Sequence, residues 1–292
     1  MNQTDPASGQ MPGLRIRSTS DWVCVQTHLQ AGGTLTPLLP LGNDAAIVWV
    51  PKNGCSTIKR VWLQLQGYRE QQLVSDPHSS ALHHTYWLTP EELKIVAQHR
   101  GLIAIWRDPV DRFVSACRSH LVELTRFKIE QKLRTNTENE ASYQEALEYH
   151  RDLFVRHGVA SFADDSDPVY VMNAVALQLR QWIPCHIDWS HHTIPQVAYL
   201  GGDPSCYYSL QGMENINELM QHWQTVSGME IDTTSQHISR DLKDENPWRR
   251  LKREHLTHEA LRALHQFYAA DWAFLELAQT VLSTERSDQR AA

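Results

Sequence analysis

The sequence has few cysteines, and none of them are paired at the spacing of metal ligands. Its five cysteines are an odd number, and no two form a CxxC pair. Disulfide frameworks of secreted proteins usually show an even number, and structural zinc sites usually show close cysteine pairs. The sequence therefore indicates neither a disulfide framework nor a zinc site. It favours a reducing compartment, which we expect to be the cytoplasm.

Long apolar runs and an excess of basic residues are also missing. No segment approaches the about 18 apolar residues of a membrane span, and no apolar run follows a basic N-terminus. The formal net charge is −7, whereas proteins that bind duplex nucleic acid usually carry a basic surface. We therefore expect neither integral membrane association nor a nucleic-acid partner. The sequence does not indicate an oligomeric state.

Short apolar runs alternate with segments of helical spacing. The run AAIVWV at 45–50 precedes a helical pattern, and LIAIW at 102–106 precedes another. Between them, Thr89 followed by Pro-Glu-Glu has the pattern of a capped helix start. Buried strands that alternate with helices are typical of a parallel sheet covered by helices. The predicted fold class is α/β, with a central parallel sheet flanked by helices.

Composition sets the expected domain limits. We predict a loose N-terminal tail over 1–20, one domain over 21–283 and a flexible tail over 284–292. The strongly charged segment 126–158 is typical of a solvent-facing helical insertion, and 256–277 has the periodicity of a long C-terminal helix. At 292 residues and 41% hydrophobic, the chain can bury one sizeable core.

The loop PKNGCSTIKR at 51–60 lies between the first predicted strand and its helix. Amide groups at a helix N-terminus bind anions, and Gly54 permits close backbone approach. Ser56 and Thr57 add hydroxyl donors, and Lys52 adds a charge that stabilises a leaving group. The loop therefore has the parts of a phosphate cradle, although an ordinary strand-to-helix turn with a surface lysine accounts for it equally well. It is not a Walker A loop, because Lys52 precedes the glycine.

A second motif, RDPVDRFVSACR at 107–118, follows the second predicted strand. Ligands of open α/β sheets gather at the carboxyl ends of strands, so we expect Arg107 to face the same crevice as Lys52. Ser115 lies about two helical turns further on and can join Arg107 on one phosphate. The alternative is a structural Arg–Asp pair in which Asp108 caps the helix.

The two motifs together resemble those of sulfotransferases that use 3'-phosphoadenosine-5'-phosphosulfate (PAPS). The loop is similar to their 5'-phosphosulfate loop, and the second motif to their 3'-phosphate motif, RDPxxRxxSxxR. The pattern PKxxCxxxKR most resembles the carbohydrate sulfotransferases of the HNK-1 and chondroitin 4-O type. Weaker likenesses are HTIPQ at 192–196, YSLQGMEN at 208–215 and YAADWAF at 268–274. That group's membrane anchor is absent, and its HxNxS pattern is only loosely followed near residue 237.

The resemblance implies a P-loop-like sulfotransferase fold and an enzyme that moves the sulfuryl group of PAPS, without a metal, and leaves PAP. The residues that it implies for the phosphosulfate-binding loop and the 3'-phosphate are Lys52, Asn53, Gly54, Cys55, Ser56, Thr57, Arg107 and Ser115. The implied partner is a hydroxyl-bearing acceptor: a sugar, a glycolipid or a small natural product. Carbohydrate sulfation is thus one expectation.

Transfer to a hydroxyl needs a base, and histidine has an unperturbed pKa near working pH. Among sixteen histidines, His83 and His84 lie in LHHTYWL, which resembles the HGHVSYL segment that carries the base in 2-O-type carbohydrate sulfotransferases. We favour His84, then His83. Adjacent histidines that merely flank a turn are an alternative, as is Glu91 for the base. His186, His191 and His192 complete no recognised metal spacing.

Two other functions fit parts of this pattern. A sulfotransferase-like protein that binds nucleotide but has lost its chemistry would keep the fold, although Lys52, Arg107 and Ser115 are all retained. A nucleotide kinase of related fold is less favoured because the Walker lysine is missing. Loss of turnover in Lys52→Ala and His84→Ala would separate a sulfotransferase from the silent protein, and magnesium-dependent ATP hydrolysis would indicate the kinase.

Overall fold

A computed structural model describes residues 11–68, 77–123, 148, 152, 167–183, 187–227 and 247–291. The strands of the described part are β1 (Leu14–Arg15), β2 (Thr36–Leu41), β3 (Ala45–Val48), β4 (Tyr86–Leu88), β5 (Gly101–Trp106) and β6 (Ser209–Gly212). Its helices are α1 (Thr19–Gln30), α2 (Cys55–Leu65), α3 (Pro77–Leu82), α4 (Pro90–Ala97), α5 (Pro109–Glu123), α6 (Pro168–Trp182), α7 (Ile187–Thr193), α8 (Val197–Leu200), α9 (Ile216–Ser227), α10 (His258–Phe267) and α11 (Ala269–Ala291).

Two compact units divide these elements. The first comprises Met1–Arg107, Pro195–His237 and Ala270–Ala292, and the second comprises Asp108–Ile194 and Ile238–Ala269. The first unit therefore holds all six strands, whereas α5, α6, α7 and α10 lie in the second.

The six strands of the first unit form one mixed sheet in the order β1-β4-β2-β3-β5-β6. β3 pairs in parallel with β5, and β5 with β6. The pairs β1–β4, β2–β4 and β2–β3 are antiparallel. The predicted α/β class and the parallel pairing of the two apolar runs are confirmed, and the antiparallel half is an addition that the sequence did not predict.

Apolar side chains from both faces of the parallel strands build the core of the first unit. Ala46, Ile47 and Val48 of β3 are fully buried, as are Leu102 and Ala104 of β5. Burial on both faces is what removes the alternation from these strands and leaves continuous apolar runs in the sequence. The carboxyl ends of β3 and β5 lie next to each other, and each strand is followed by a short loop and then a helix.

Helix α4 begins where its sequence pattern predicts. The Thr89 hydroxyl accepts a hydrogen bond from the Glu92 N–H at 3.3 Å, and the Glu92 carboxylate accepts one from the Thr89 N–H at 2.8 Å. This reciprocal capping box satisfies two backbone donors that the helix itself cannot pair. The predicted helix start is confirmed.

In the second unit, the Asn173 side chain joins α6 to the segment that begins α10. Asn173 of α6 donates to the carbonyls of Val169 (2.8 Å) and His255 (3.0 Å) and accepts from the Thr257 N–H (2.7 Å). Thr257 in turn caps α10. One buried amide therefore fixes the start of α10 against α6.

The structure differs from the sequence prediction at the two predicted tails and in the predicted C-terminal helix. β1 and the start of α1 lie within residues 11–20, which the sequence assigned to a loose tail, and α11 extends through the predicted tail to Ala291. The predicted single C-terminal helix is two helices, α10 and α11. The insertion predicted over 126–158 lies outside the described residues, except for positions 148 and 152. The limits of the single domain stay a prediction.

Candidate active site

The loop at 51–54 turns through two left-handed residues before α2 begins. Lys52 has φ 68° and Gly54 has φ 72°. A lysine rarely adopts this conformation, which costs about 1–2 kcal/mol for a residue with a side chain. Surrounding contacts must therefore hold the loop in its shape.

Glycine suits position 54 because of its left-handed backbone, and a side chain there would also have to displace the flexible ends of two neighbouring side chains. A Cβ atom added there would come within 2.5 Å of Ile216 Cδ1 and 3.2 Å of Met213 Cε. These side chains come from the start of α9 and the turn before it. The first unit thus packs apolar groups directly against the backbone of the loop.

The N-terminus of α2 has the features of an anion site. Gly54 is the N-cap residue, and a glycine has no side chain that could cap the helix. The backbone hydrogen bonds of α2 begin with the one from the Ile58 N–H to the Gly54 carbonyl, at 3.0 Å. The amides of Cys55, Ser56 and Thr57 come before it, at the positive end of the helix dipole. These amides are suited to binding a phosphate or sulfate group.

Gln196 ties the loop to the end of β5. Its side chain accepts from the Arg107 N–H at 3.2 Å and donates to the Arg107 carbonyl at 2.8 Å. The same side-chain oxygen accepts from Asn53 Nδ2, which also donates to the Ile105 carbonyl at 3.0 Å. Gln196 is 2% exposed and Asn53 is fully buried, so these bonds are shielded from water.

Arg107 adds a direct bond between the two segments. Its Nη1 donates to the Lys52 carbonyl at 3.0 Å. Lys52 is the strained residue of the loop, so this bond helps to hold its left-handed conformation. The first unit therefore brings together Lys52, Asn53 and Arg107, three of the residues predicted for the site.

His78, at the start of α3, contacts two residues of α2. Its Nε2 lies 2.8 Å from Ser56 Oγ, and its Nδ1 lies 3.3 Å from Lys59 Nζ. Lys59 is only 3% exposed, and its ammonium lies 3.4 Å from the centroid of the Trp49 ring. A histidine therefore does contact the loop, but it is not one of the two that the sequence favoured.

His83 and His84 lie at the turn between α3 and β4. Arg15 Nη2 lies 3.0 Å from His84 Nδ1, and the Tyr68 hydroxyl lies 2.9 Å from His84 Nε2. Arg15 Nε donates to the His83 carbonyl at 3.1 Å. Because a guanidinium only donates, Nδ1 of His84 accepts in this arrangement, and the proton of a neutral ring lies on Nε2.

The second motif lies in the second unit from Asp108 onward. Asp108 Oδ1 accepts from the N–H groups of Val110 (2.8 Å) and Asp111 (3.0 Å), as the capping alternative predicted. Its Oδ2 accepts from Arg253 Nη1 at 2.8 Å. Burial lowers the pKa of Arg253, but the hydrogen bond and charge of Asp108, together with the charges of Asp111 and Glu254, outweigh it, and the net shift is upward. Asp108 is thus a structural anchor.

The two later arginines of this motif bond backbone carbonyls, and Ser115 is buried on α5. Arg112 Nη1 donates to the Ile194 carbonyl and Arg118 Nε to the Leu251 carbonyl, both at 2.6 Å. Ser115 is 5% exposed and lies on α5, one turn before Ser119, whose hydroxyl donates to the Ser115 carbonyl at 3.0 Å. Both arginines therefore hold the backbone of the second unit. The shared phosphate role of Arg107 and Ser115 stays a prediction.

Two further searches concern metal ligands and membrane-spanning helices in the part of the chain that the structure describes. It holds no group of three or more acidic, histidine or cysteine side chains placed to bind a metal. The rings of His191 and His192 lie 5.0 Å apart, and His186 lies outside the described residues. Among the described helices, none is long and apolar enough to cross a membrane.

Sequence reasoning missed Gln196, His78 and Lys59. Gln196 belongs to the HTIPQ segment, which was noted only as a likeness, and Lys59 belongs to the PKxxCxxxKR pattern. His78 had no signal, because its partners lie 19 and 22 residues away in the sequence, which is beyond the reach of local periodicity.

Comparison with known proteins gives one match. Searches of curated proteins and of solved structures found no significant similarity. A sequence model of the sulfotransferase family matches residues 44–277, which spans the loop, the second motif and α10. The match covers most of the 292 residues, and the chain therefore belongs to the sulfotransferase family.

Proposed function

We propose that the chain transfers the sulfuryl group of PAPS to a hydroxyl of a carbohydrate or small-molecule acceptor. The observation that carries the proposal is the loop at 51–57, where a lysine precedes a helix N-terminus whose N-cap is a glycine, and Arg107 bonds the carbonyl of that lysine. Membership of the sulfotransferase family supports the same chemistry. The resemblance of PKxxCxxxKR to the HNK-1 and chondroitin 4-O type makes a sugar hydroxyl the preferred acceptor.

The residues present fit the phosphosulfate end of this donor. Gly54 lacks the Cβ that would crowd the loop, and the amides of Cys55, Ser56 and Thr57 lie at the start of α2. These amides, the two hydroxyls and Lys52 are the groups that would hold the 5'-phosphosulfate. We assign the 3'-phosphate to Arg107 and Ser115. The donor supplies an activated sulfuryl group on a phosphate leaving group.

The chain's own residues would do three things in the transfer. The amides and the Lys52 ammonium neutralise charge that grows on the leaving phosphate oxygen. The hydrogen bonds of Gln196 and Arg107 keep the loop in one geometry, so that no reorganisation is needed at the moment of reaction. A histidine accepts the proton of the acceptor hydroxyl.

We keep His84 and then His83 as proposed bases, with a condition on His84. Its Nδ1 accepts from Arg15 and its Nε2 faces Tyr68. To accept a proton at either nitrogen, the ring would have to exchange one of these partners for the acceptor hydroxyl. Proposed base residues are therefore tested together, as His83→Ala, His84→Ala and the double variant.

Transfer of radiolabelled sulfate from PAPS tests the proposal. The protein is incubated with labelled PAPS and an extract of its host, and the product is identified by mass spectrometry. We expect a sulfated hydroxyl compound and a loss of at least about 100-fold in turnover for Lys52→Ala, because one lost electrostatic contact to the leaving group costs about 2.7–4 kcal/mol.

Lys94→Ala is the matched control for that variant. Lys94 is an exposed lysine of α4, 3.8 Å from Asp203, and its removal should leave turnover unchanged. PAP binding without any labelled product would indicate a nucleotide-binding protein that has lost its chemistry. Equal turnover in Lys52→Ala and the parent would overturn the assigned role of Lys52.

A further inference from the structure

We infer that His78 is a positioning residue that turns the Ser56 hydroxyl into a hydrogen-bond donor for the anion at the start of α2. This inference rests on the proposed function, since it concerns the same loop. It adds a residue to the site that lies outside both motifs, and it gives Lys59 a task apart from contact with the donor.

The geometry joins three side chains in a row. Ser56 is the second residue of α2, beside the amides of a helix start whose N-cap is Gly54. His78 lies between Ser56 and Lys59, with its Nε2 2.8 Å from the serine hydroxyl and its Nδ1 3.3 Å from the lysine ammonium. Each ring nitrogen of His78 therefore has a partner on the same helix, one turn apart.

Lys59 determines which nitrogen of His78 carries the proton. Its ammonium lies 3.4 Å from the centroid of the Trp49 ring, and a positive charge over a ring face is stabilised by the ring quadrupole. An ammonium group has donors only. Nδ1 of His78 must therefore accept, and the single proton of the neutral ring lies on Nε2.

The direction of the remaining bond follows from this tautomer. The Nε2–H of His78 donates to Ser56 Oγ, so the serine hydroxyl accepts one bond and directs its own hydrogen away from His78. A hydroxyl that already accepts a hydrogen bond is a better donor, because such chains polarise one another. Ser56 can then donate to an anion alongside the amides of α2.

The opposite arrangement is excluded by the donor count. If Ser56 donated to His78, both ring nitrogens would have to accept, and a neutral imidazole has only one acceptor. A doubly protonated ring would place a donor and a positive charge against the Lys59 ammonium. Only one assignment is consistent with both distances.

The first test is the tautomer of His78 in the full-length protein. Nitrogen-15 NMR of histidine-labelled protein distinguishes a ring protonated on Nε2 from one protonated on Nδ1, and His78→Gln identifies the signal. We expect the Nε2–H form in the parent and a change in its tautomer balance in Lys59→Met. A ring protonated on Nδ1 would overturn the inference.

The second test is the affinity for PAP, measured by titration calorimetry. We expect Ser56→Ala and His78→Leu each to bind about tenfold more weakly, which is about 1.4 kcal/mol. The double variant should bind no more weakly than either single variant, because both remove the same donor. His78→Gln keeps one donor and one acceptor and should bind within about threefold of the parent. His99→Leu, at an exposed histidine, should bind like the parent.

Each outcome separates this inference from the proposed function. Parent-like PAP binding by His78→Leu, or additive losses in the double variant, would overturn the positioning role while leaving the sulfotransferase proposal intact. Equal losses in His78→Gln and His78→Leu would show that His78 acts only by filling space. Failure of the parent to bind PAP would overturn the proposed function, whereas the tautomer measurement would still decide the orientation of Ser56.

Discussion

Single residues of the loop act through the backbone as much as through their side chains. Lys52 adopts a left-handed conformation that a lysine seldom tolerates, and Arg107 bonds its carbonyl. Gln196 pairs with both backbone groups of Arg107, much as a neighbouring strand would. The strain at Lys52 is therefore maintained by residues that sequence motifs had assigned either to ligand binding or to no role.

Gln196→Leu should lower the free energy of unfolding by about 2 kcal/mol, because it leaves backbone groups of Arg107 and the Asn53 amide without their partner. Urea denaturation followed by circular dichroism measures the change. Gln279→Leu, at an exposed position of α11, is the control and should stay within about 0.5 kcal/mol of the parent. Equal stability of the two variants would show that the Gln196 bonds add nothing.

Buried and exposed cysteines should differ sharply in reactivity. Burial raises the pKa of the Cys117 thiol well above its usual value, whereas Cys24 is exposed. A raised pKa means less thiolate at a given pH, and the thiolate is the reactive form. Alkylation with iodoacetamide at pH about 8, followed by mass spectrometry, should label Cys24 and leave Cys117 unmodified until the protein is denatured. Similar labelling rates for the two would contradict the burial of Cys117.

Elements differ in how much of their stability is local. Helix α4 has a capping box formed entirely by its own residues, which is why its start could be predicted from the sequence. Strand β2 is the opposite case. It holds Pro37 and Pro40 between two partner strands, and proline normally argues against a central strand because it cannot donate to the ladder.

The C-terminal segment shows a break that the local pattern does not reveal. Tyr268 leaves the helical conformation between α10 and α11, and its hydroxyl donates to the Thr193 carbonyl at 2.7 Å. No proline or glycine marks this position. The periodicity therefore predicted one helix where contacts distant in sequence make two.

Thr89→Ala should destabilise the protein by about 1 kcal/mol, because it removes the side chain that caps α4. For a chain of this size the melting temperature should fall by about 2–4 °C. Thr280→Ala, within the exposed face of α11, is the matched control and should have little effect. Calorimetry of both variants measures the difference, and equal melting temperatures would argue against a stabilising cap at Thr89.

At the scale of the whole molecule, the sequence predicted the parts of the site that lie next to each other in the chain. The loop, the strand before it and Arg107 follow from apolar runs and local motifs. Gln196 lies 143 residues from Asn53, and only the fold brings the two together. The β1, β2 and β4 strands were missed because they are short or contain proline, so their placement depends on pairing.

The histidines near the site show the same limit of local sequence patterns. His83 and His84 lie in a segment with a family resemblance, whereas His78 lies in none. The structure gives His84 partners in Arg15 and Tyr68, and gives His78 a partner in the loop itself. The family resemblance therefore pointed to the segment of His83 and His84, whereas His78 was found only from its contacts between α3 and α2.

Titration of the parent protein and of Lys52→Ala with PAP tests the central claim most directly, namely that the loop at 51–57 binds a phosphosulfate donor. We expect one PAP to bind per chain, with a stabilisation of about 2.7 kcal/mol when PAP is present at about 100 times its dissociation constant. Lys52→Ala should bind more weakly while remaining folded. Absence of both binding heat and thermal stabilisation in the parent protein would contradict the claim.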